Sequence, residues 1–425
     1  MVFIGGLIVI LTFVAIIKRY ETRLVLFLSG LLMALISLNP LAAFDAFAKT
    51  MVNTGLVTAI CTVMGFAYVA KVTKCDQHLV RLLTEPLSKM RPILIPGAVI
   101  VTFIINIALT SAAGVSAAVG AILIPTLIRA GVKPEMAAAA VFAGTFGSVL
   151  SPGNAHNVYV AEMAKQDVMS VIGVHATTSV IAGLISAASL AVVGFILKED
   201  RGYEPKLVDS PASGVAAAEA EGEPVSLIKA LVPVLPLVLL ILATPQIGVL
   251  PKNFSIPAAM LIGAMVAWAV TRVNPQEITK SFFDGMGYSY ANVIGIIVAA
   301  SVFTAGMQAI GLTGALIEAM KRSTSAVNLG ATFGPFLIAV LGGSGDAATL
   351  AFNGAVTPHA AEFGLTIARL GSVANLAGAL GRTMSPVSGA AIVCASLAGV
   401  NPMELAKRTA PGMIIAAIVA MLLLL

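Results

Sequence analysis

Two apolar, helix-length segments in opposite halves of the chain are each interrupted by a Ser-Pro step: Gly144-Thr-Phe-Gly-Ser-Val-Leu-Ser-Pro-Gly-Asn154 and Gly378-Ala-Leu-Gly-Arg-Thr-Met-Ser-Pro-Val-Ser388. Proline removes a backbone N–H and clashes with the preceding turn, so Ser151-Pro152 and Ser385-Pro386 each free backbone groups that need partners. Lipid supplies none, so interrupted backbone survives at membrane depth only where it is buried in protein or lines a cavity. Matched interruptions in two halves of one chain are the sequence pattern of a secondary transporter's binding site.

Such segments belong in a bilayer only if the rest of the chain does. With 58% hydrophobic and 11% charged residues among 425, there is too little polar surface to cover a soluble globule of this size. The net charge of +5 does not indicate nucleic acid, because the basic residues lie between apolar runs and not along one face. The first seventeen residues lack a basic start and a small-residue cleavage pattern, and read as a retained crossing. Cys61, Cys75 and Cys394 have no metal-ligand spacing and read as small buried hydrophobes.

A helix needs roughly 20 apolar residues to span a bilayer. Crossings are expected near 1–17, 24–38, 51–70, 134–160, 170–197, 228–245, 255–271, 285–308, 366–398 and 409–425. Alternating the loops puts eighteen Lys and Arg on one side and six on the other. The richer side is expected to be cytoplasmic, which places both termini in the periplasm. Two charge-poor stretches are too long for one crossing: Pro92 to Ile128 has no Asp, Glu, Lys or Arg, and Ser323 to Ala361 has only Asp346. Small polar centres, Thr110-Ser111-Ala-Ala-Gly114 and Gly342-Gly-Ser-Gly-Asp346, suit re-entrant hairpins; two full crossings with a tight turn are the alternative.

The spacing of these features exposes a duplication. Ser111 precedes Ser344 by almost the same interval that separates Ser151 from Ser385, while Phe44-Asp45 matches Phe283-Asp284, and Asn53 matches Asn292, at one common and slightly longer interval. Five crossings per unit would invert the second copy. The fold expected is an all-α membrane protein of two inverted five-crossing repeats, each with a re-entrant hairpin and a broken helix, divided into a scaffold and a transport domain. Residues 1–91 are scaffold, 92–165 the first hairpin and broken helix, and 166–198 a closing helix. A cytoplasmic linker of little packed structure follows over 199–227, then scaffold over 228–322, the second hairpin and broken helix over 323–400, and a closing helix over 401–425.

Half-helix N-termini present N–H groups with partial positive charge, and half-helix C-termini present carbonyls with partial negative charge. Four such termini converging at the midplane would hold an anion through N–H groups and the Ser111, Ser151, Ser344, Ser385 and Ser388 hydroxyls. Thr110 and Asn154 stand beside them, and Gly114, Gly153 and Gly345 permit close backbone approach. Asp346 and Arg382 are the strongly ionisable residues placed deep in the bilayer, where such groups need a partner or a wet cavity. Two roles are open to them: a structural ion pair, or a carboxylate clamp at Arg382 with a coupling H+ or Na+ at Asp346. His156 is either a second proton site or a hydrogen-bonded structural residue. Asp45 and Asp284 are expected to open interfacial helices. Gly342-Gly-Ser-Gly345 fits the short pattern of intramembrane serine proteases, but no His is placed at matching depth. P-loop, zinc and dinucleotide motifs are absent from the sequence.

The run Leu380-Gly-Arg-Thr-Met-Ser-Pro-Val-Ser-Gly389, with Gly343-Ser-Gly-Asp346 before it and Asn401-Pro-Met-Glu-Leu-Ala-Lys-Arg-Thr409 after it, resembles the DcuC family of anaerobic four-carbon dicarboxylate carriers. Ser111 to Gly114, the alanines at 137–140 and Ser151 to Asn154 extend the likeness across most of the chain. The resemblance implies exchange, uptake or efflux of succinate, fumarate or malate across a bacterial inner membrane. It also implies an elevator-type carrier, a homodimeric scaffold and substrate contacts that include Pro386. No cofactor is expected beyond a coupling H+ or Na+. A cation/proton antiporter on the same frame is the alternative within transport. Relatives can carry an amide where this chain has Asp346.

Overall fold

The computed structural model describes residues 1–87, 93–203, 224–251, 254–321 and 324–425. Lys89, Arg91, Lys206, Lys252, Arg322 and most of the expected linker lie outside the described residues. The described residues are helical, with no strand among them. Six of their helical runs are long and apolar enough to cross a membrane.

The first half begins with α1 (Val2–Ile17), α2 (Thr22–Ile36), α3 (Pro40–Met51), α4 (Thr54–Val72) and α5 (Cys75–Thr84). A hairpin follows, α6 (Leu94–Ala108) and α7 (Ala112–Arg129), then α8 (Pro134–Ala143), α9 (Ala155–Ala164) and the long α10 (Val168–Leu197). The second half repeats this order. Two short helices, α11 (Leu227–Leu231) and α12 (Leu235–Leu242), precede α13 (Ile256–Thr271), α14 (Pro275–Ser289), α15 (Gly295–Ala309) and α16 (Leu312–Lys321). The second hairpin is α17 (Thr324–Gly342) and α18 (Gly345–Ala355), followed by α19 (Ile367–Arg382), α20 (Gly389–Ala398) and α21 (Pro402–Leu424).

Helix starts follow local chemistry. Side-chain oxygens of Asn53, Asp167, Ser255, Asn274 and Asn401 accept N–H bonds from the first turns of α4, α10, α13, α14 and α21. Pro134, Pro275 and Pro402 open their helices, where the missing N–H costs nothing. The crossing expected over 228–245 is instead α11, a 3₁₀ turn (Val232–Val234) and α12, because Pro233 and Pro236 remove two nearby amide donors. Asp45 and Asp284 do not open their helices: they sit inside α3 and α14, whose starts belong to Pro40 and Pro275.

The halves interlock across the duplication. Helix α2 packs on α15 and α4 on α13, while α3 packs on α15 and α4 on α14. At the α2–α15 crossing, a Cβ on Gly30 would meet the Val302 carbonyl and the Phe303 backbone, so the helices touch main chain to main chain. A second matched contact lies between hairpin and broken helix. A Cβ on Gly147 would meet the Phe103 carbonyl on α6, and one on Gly381 would meet the Phe336 carbonyl on α17. Gly147 and Gly381 are spaced as the two Ser-Pro steps are, and Phe103 and Phe336 as the two hairpin tips are.

Helix α8 is enclosed: Met136 to Ala143 are all buried, among α6, α7, α20 and α21. Alanine there lets four neighbours approach one axis, the packing expected of small residues in membrane bundles. The start of the expected linker is not loose. Glu199 is buried and takes two bonds from Arg408 of α21, Nε–Oε2 and Nη2–Oε1, both 2.7 Å, while its carbonyl accepts the Lys133 N–H at 3.0 Å.

Candidate functional site

The two interruptions differ in form. In the first half α8 ends at Ala143, well before Ser151, and a 3₁₀ turn (Gly147–Leu150) carries the chain toward Asn154, the N-cap of α9. In the second half α19 runs to Arg382 and only Thr383 to Ser388 separate it from α20, capped by the Ser388 hydroxyl on the Ala391 N–H. Proline alone does not set the breaks, since Pro125 and Pro335 lie inside intact α7 and α17.

The freed backbone finds amide partners. Asn157 donates to the Val149 carbonyl at 2.7 Å and to the Ser151 carbonyl at 3.1 Å. Asn154 donates to the Ser148 carbonyl at 3.1 Å, and Asn106 of α6 accepts the Ser148 N–H at 2.9 Å. The chain of amides continues across the halves: Asn375 donates to Asn157 at 3.5 Å, Asn353 to Asn375 at 2.8 Å, and Thr357 to Asn353 at 2.8 Å. In the second half the roles reverse, and the Ser385 hydroxyl of the break donates to the Val340 carbonyl of α17 at 2.6 Å.

These supports leave a cavity of about 470 Å³ between the halves. Three half-helix N-termini line it: Thr110, Ser111 and Ala112 at α7, Gly153 to Asn157 at α9, and Gly345 with Asp346 at α18. The fourth, at α20, does not. Arg382 lines the wall at the C-terminus of α19, where a cation meets the negative end of the helix dipole. Of the residues expected from sequence, Thr110, Ser111, Gly153, Asn154, His156, Gly345, Asp346 and Arg382 line this cavity. Gly114, Ser151, Ser344, Ser385, Pro386 and Ser388 do not. Ser111 caps α7 through the Gly114 N–H, and the Ser151 hydroxyl accepts the Gly153 N–H.

Of the two roles open to Arg382 and Asp346, a direct ion pair between them does not occur among the described residues, and Asp346 meets a histidine. Asp346 Oδ1 lies 2.8 Å from His156 Nε2, joining the first turn of α18 to the first turn of α9. Arg382 instead donates Nη2–H to the Thr145 carbonyl at 2.8 Å. The physical reason is the freed backbone just past α8: its carbonyls carry partial negative charge, and the cation they attract is the other half's guanidinium. Asp346 is 60% exposed, toward the cavity it lines, and His156 is 14% exposed with a buried Nδ1 that meets no protein partner. Arg382 Nε and Nη1 have no hydrogen-bond acceptor among the described residues, beside three positive helix ends.

Sequence reasoning missed Asn157 and Asn375, which line the cavity and hold the break together. Their signal was present as amides inside otherwise apolar helices. It also missed Glu21, Arg23, Tyr288 and Asn292, which line the same cavity. No group of three His, Cys, Asp or Glu suited to a metal ion occurs among the described residues.

The family described as DcuC, C4-dicarboxylate anaerobic carrier, matches residues 40–425. An uncharacterized transporter of Haemophilus influenzae is 44% identical over 283 residues, 65% of this chain and 100% of that protein. The anaerobic C4-dicarboxylate transporter DcuC of Escherichia coli K12 is 26% identical, over 93% of this chain and 89% of that protein. The solved structure of Neisseria gonorrhoeae MtrF, of a class of antimetabolite efflux pumps, covers 90% of this chain and 82% of its own with TM-score 0.61 and 13% identity, a likeness of fold alone. The relatives are transporters, so the protease pattern at Ser344 carries no enzyme. The chain, an all-α membrane protein, belongs to the DcuC family of C4-dicarboxylate carriers.

Proposed function

We propose that this protein exchanges or co-transports succinate, fumarate and malate through the cavity described above. One carboxylate is held by Arg382 and the N-termini of α7, α9 and α18. Residues 92–165 and 323–400 move as one unit against the scaffold of 1–91 and 228–322, as an elevator, with a homodimeric scaffold. The protein lies in a bacterial inner membrane with both termini periplasmic, and in this reading the α1–α2 connection, with Lys18 and Arg19, and the cavity opening beside it face the cytoplasm. The observation that carries this reading is the meeting of three positive helix ends and one guanidinium around a single cavity.

The His156–Asp346 pair is the coupling site in this reading: a proton shared between the halves changes the cavity's charge when substrate arrives. Arg382, Arg23 and Glu21 are the other charged groups on the cavity wall. The test is counterflow of radiolabelled succinate in proteoliposomes, at two pH values and with and without Na+. Wild type exchanges label in a pH-dependent, Na+-independent way, and Arg382→Ala raises KM about 100-fold, equivalent to two lost charge-assisted bonds of about 1.5 kcal/mol each. Absence of wild-type counterflow with all three dicarboxylates overturns the reading. Acidification driven by Na+ alone would indicate the antiporter.

A further inference from the structure

A four-carbon dicarboxylate has two charged ends, and Arg382 with its helix termini accounts for one. A second guanidinium also lines the cavity, that of Arg23 in the first turn of α2. We infer that Arg23 is the anchor for the far carboxylate, on one face of the membrane only; this rests on the function proposed above.

Arg23 is fixed on two edges. Its Nε donates to Glu21 Oε1 at 2.5 Å, and its Nη1 donates to the Ala291 carbonyl at 2.7 Å. Glu21 is itself immobilised, because its other oxygen accepts the Leu24 N–H at 2.7 Å as the N-cap of α2. Ala291 belongs to a π-turn (Tyr290–Ile294) that joins α14 to α15, a helix irregularity concentrated at functional sites. Gly295, just beyond it, leaves room for the arginine: a Cβ there would lie 3.3 Å from Arg23 Cδ. Nη2 has no protein acceptor among the described residues. Glu21 and the π-turn thus position the guanidinium with Nη2 free to donate to a carboxylate.

The second half lacks this group. Glu21 and Ser255 are the N-caps of α2 and α13, spaced as the two Ser-Pro steps are, and the same spacing takes Arg23 to Pro257. The matching helix junction also differs, since α3 and α4 are separated by Val52 and the N-cap Asn53 where α14 and α15 run on through the π-turn. A cation on a scaffold helix, present in one half, acts when the cavity opens on its side and not when the moving unit has carried Arg382 away.

The experiment compares succinate exchange in right-side-out and inside-out vesicles for wild type, Arg23→Ala and Arg23→Lys, with butyrate as a single-carboxylate competitor. Arg23→Ala is expected to raise the succinate KM about tenfold on the face bearing the α1–α2 loop and no more than about twofold on the other, with the maximal rate kept. Arg23→Lys falls between, as a point charge without the fork. Butyrate inhibition is unchanged. The unaffected face shows that the variant is folded. An unchanged KM on the loop face, equal changes on both faces, or equal weakening of butyrate overturns the inference. Loss of wild-type exchange itself would instead overturn the function on which it rests.

Discussion

A single methyl group at Gly381 should unsettle the second broken helix and the arginine beside it. A Cβ at this position would meet the Phe336 carbonyl oxygen, carbonyl carbon and Cα, all main-chain atoms of α17, so no rotamer change can relieve the contact. Either α17 and α19 separate or Arg382, the next residue, shifts from the Thr145 carbonyl. Overpacking of this kind costs about 1–3 kcal/mol. A glycine-to-alanine change within a helix returns at most about 1 kcal/mol through propensity, and less near a helix end such as this. Gly334, inside α17, supplies the control, since a Cβ there meets nothing within 4 Å and only the favourable propensity change remains. The two variants should therefore differ by about 1–3 kcal/mol, measured as thermal unfolding midpoints in detergent. Gly334→Ala is expected at or above wild type and Gly381→Ala below it, with a raised succinate KM as Arg382 moves. A midpoint for Gly381→Ala equal to that of Gly334→Ala would refute the argument that α17 and α19 meet backbone to backbone.

Two further outcomes follow from buried polar groups. Asn157→Ala strips donors from the Val149 and Ser151 carbonyls and should destabilise by about 1–3 kcal/mol per carbonyl left bare, seen as faster amide exchange confined to 147–157. Arg408→Met leaves buried Glu199 with only the Lys133 ammonium, 3.8 Å away, and should cost about 1–3 kcal/mol, whereas pairing it with Glu199→Met should restore most of the loss; thermal midpoints of the two single variants and the double variant decide this.

Hydropathy and turn chemistry carried most of the fold. Runs of apolar residues bounded by Asn, Ser or Pro gave crossings within a few residues of α1, α2, α4, α10 and α13. Small polar tips marked both hairpins because a turn at that depth needs Ser and Gly to satisfy and admit the backbone. The errors lie where the deciding partner is remote in sequence. Arg382 is open in sequence to an ion pair with Asp346 or to a carboxylate-clamp role; the acceptor it meets is the carbonyl of Thr145, in the other half of the chain. The 3₁₀ turn of the first break is not legible because Gly144-Thr-Phe-Gly147 looks helical by composition, while in the fold these glycines lie against the α6 backbone. By sequence Arg23 is only one of the eighteen Lys and Arg on the richer side, since nothing local tells a guanidinium on a cavity wall from one facing water.

The thread of amides from Asn157 through Asn375 and Asn353 to Thr357 ties the two duplicated units without a formal charge. Cohesion of this kind is indifferent to acidity and weakly sensitive to ionic strength, because its members neither titrate nor attract counterions. A membrane carrier that faces compartments of different pH thereby keeps this seam intact at either acidity.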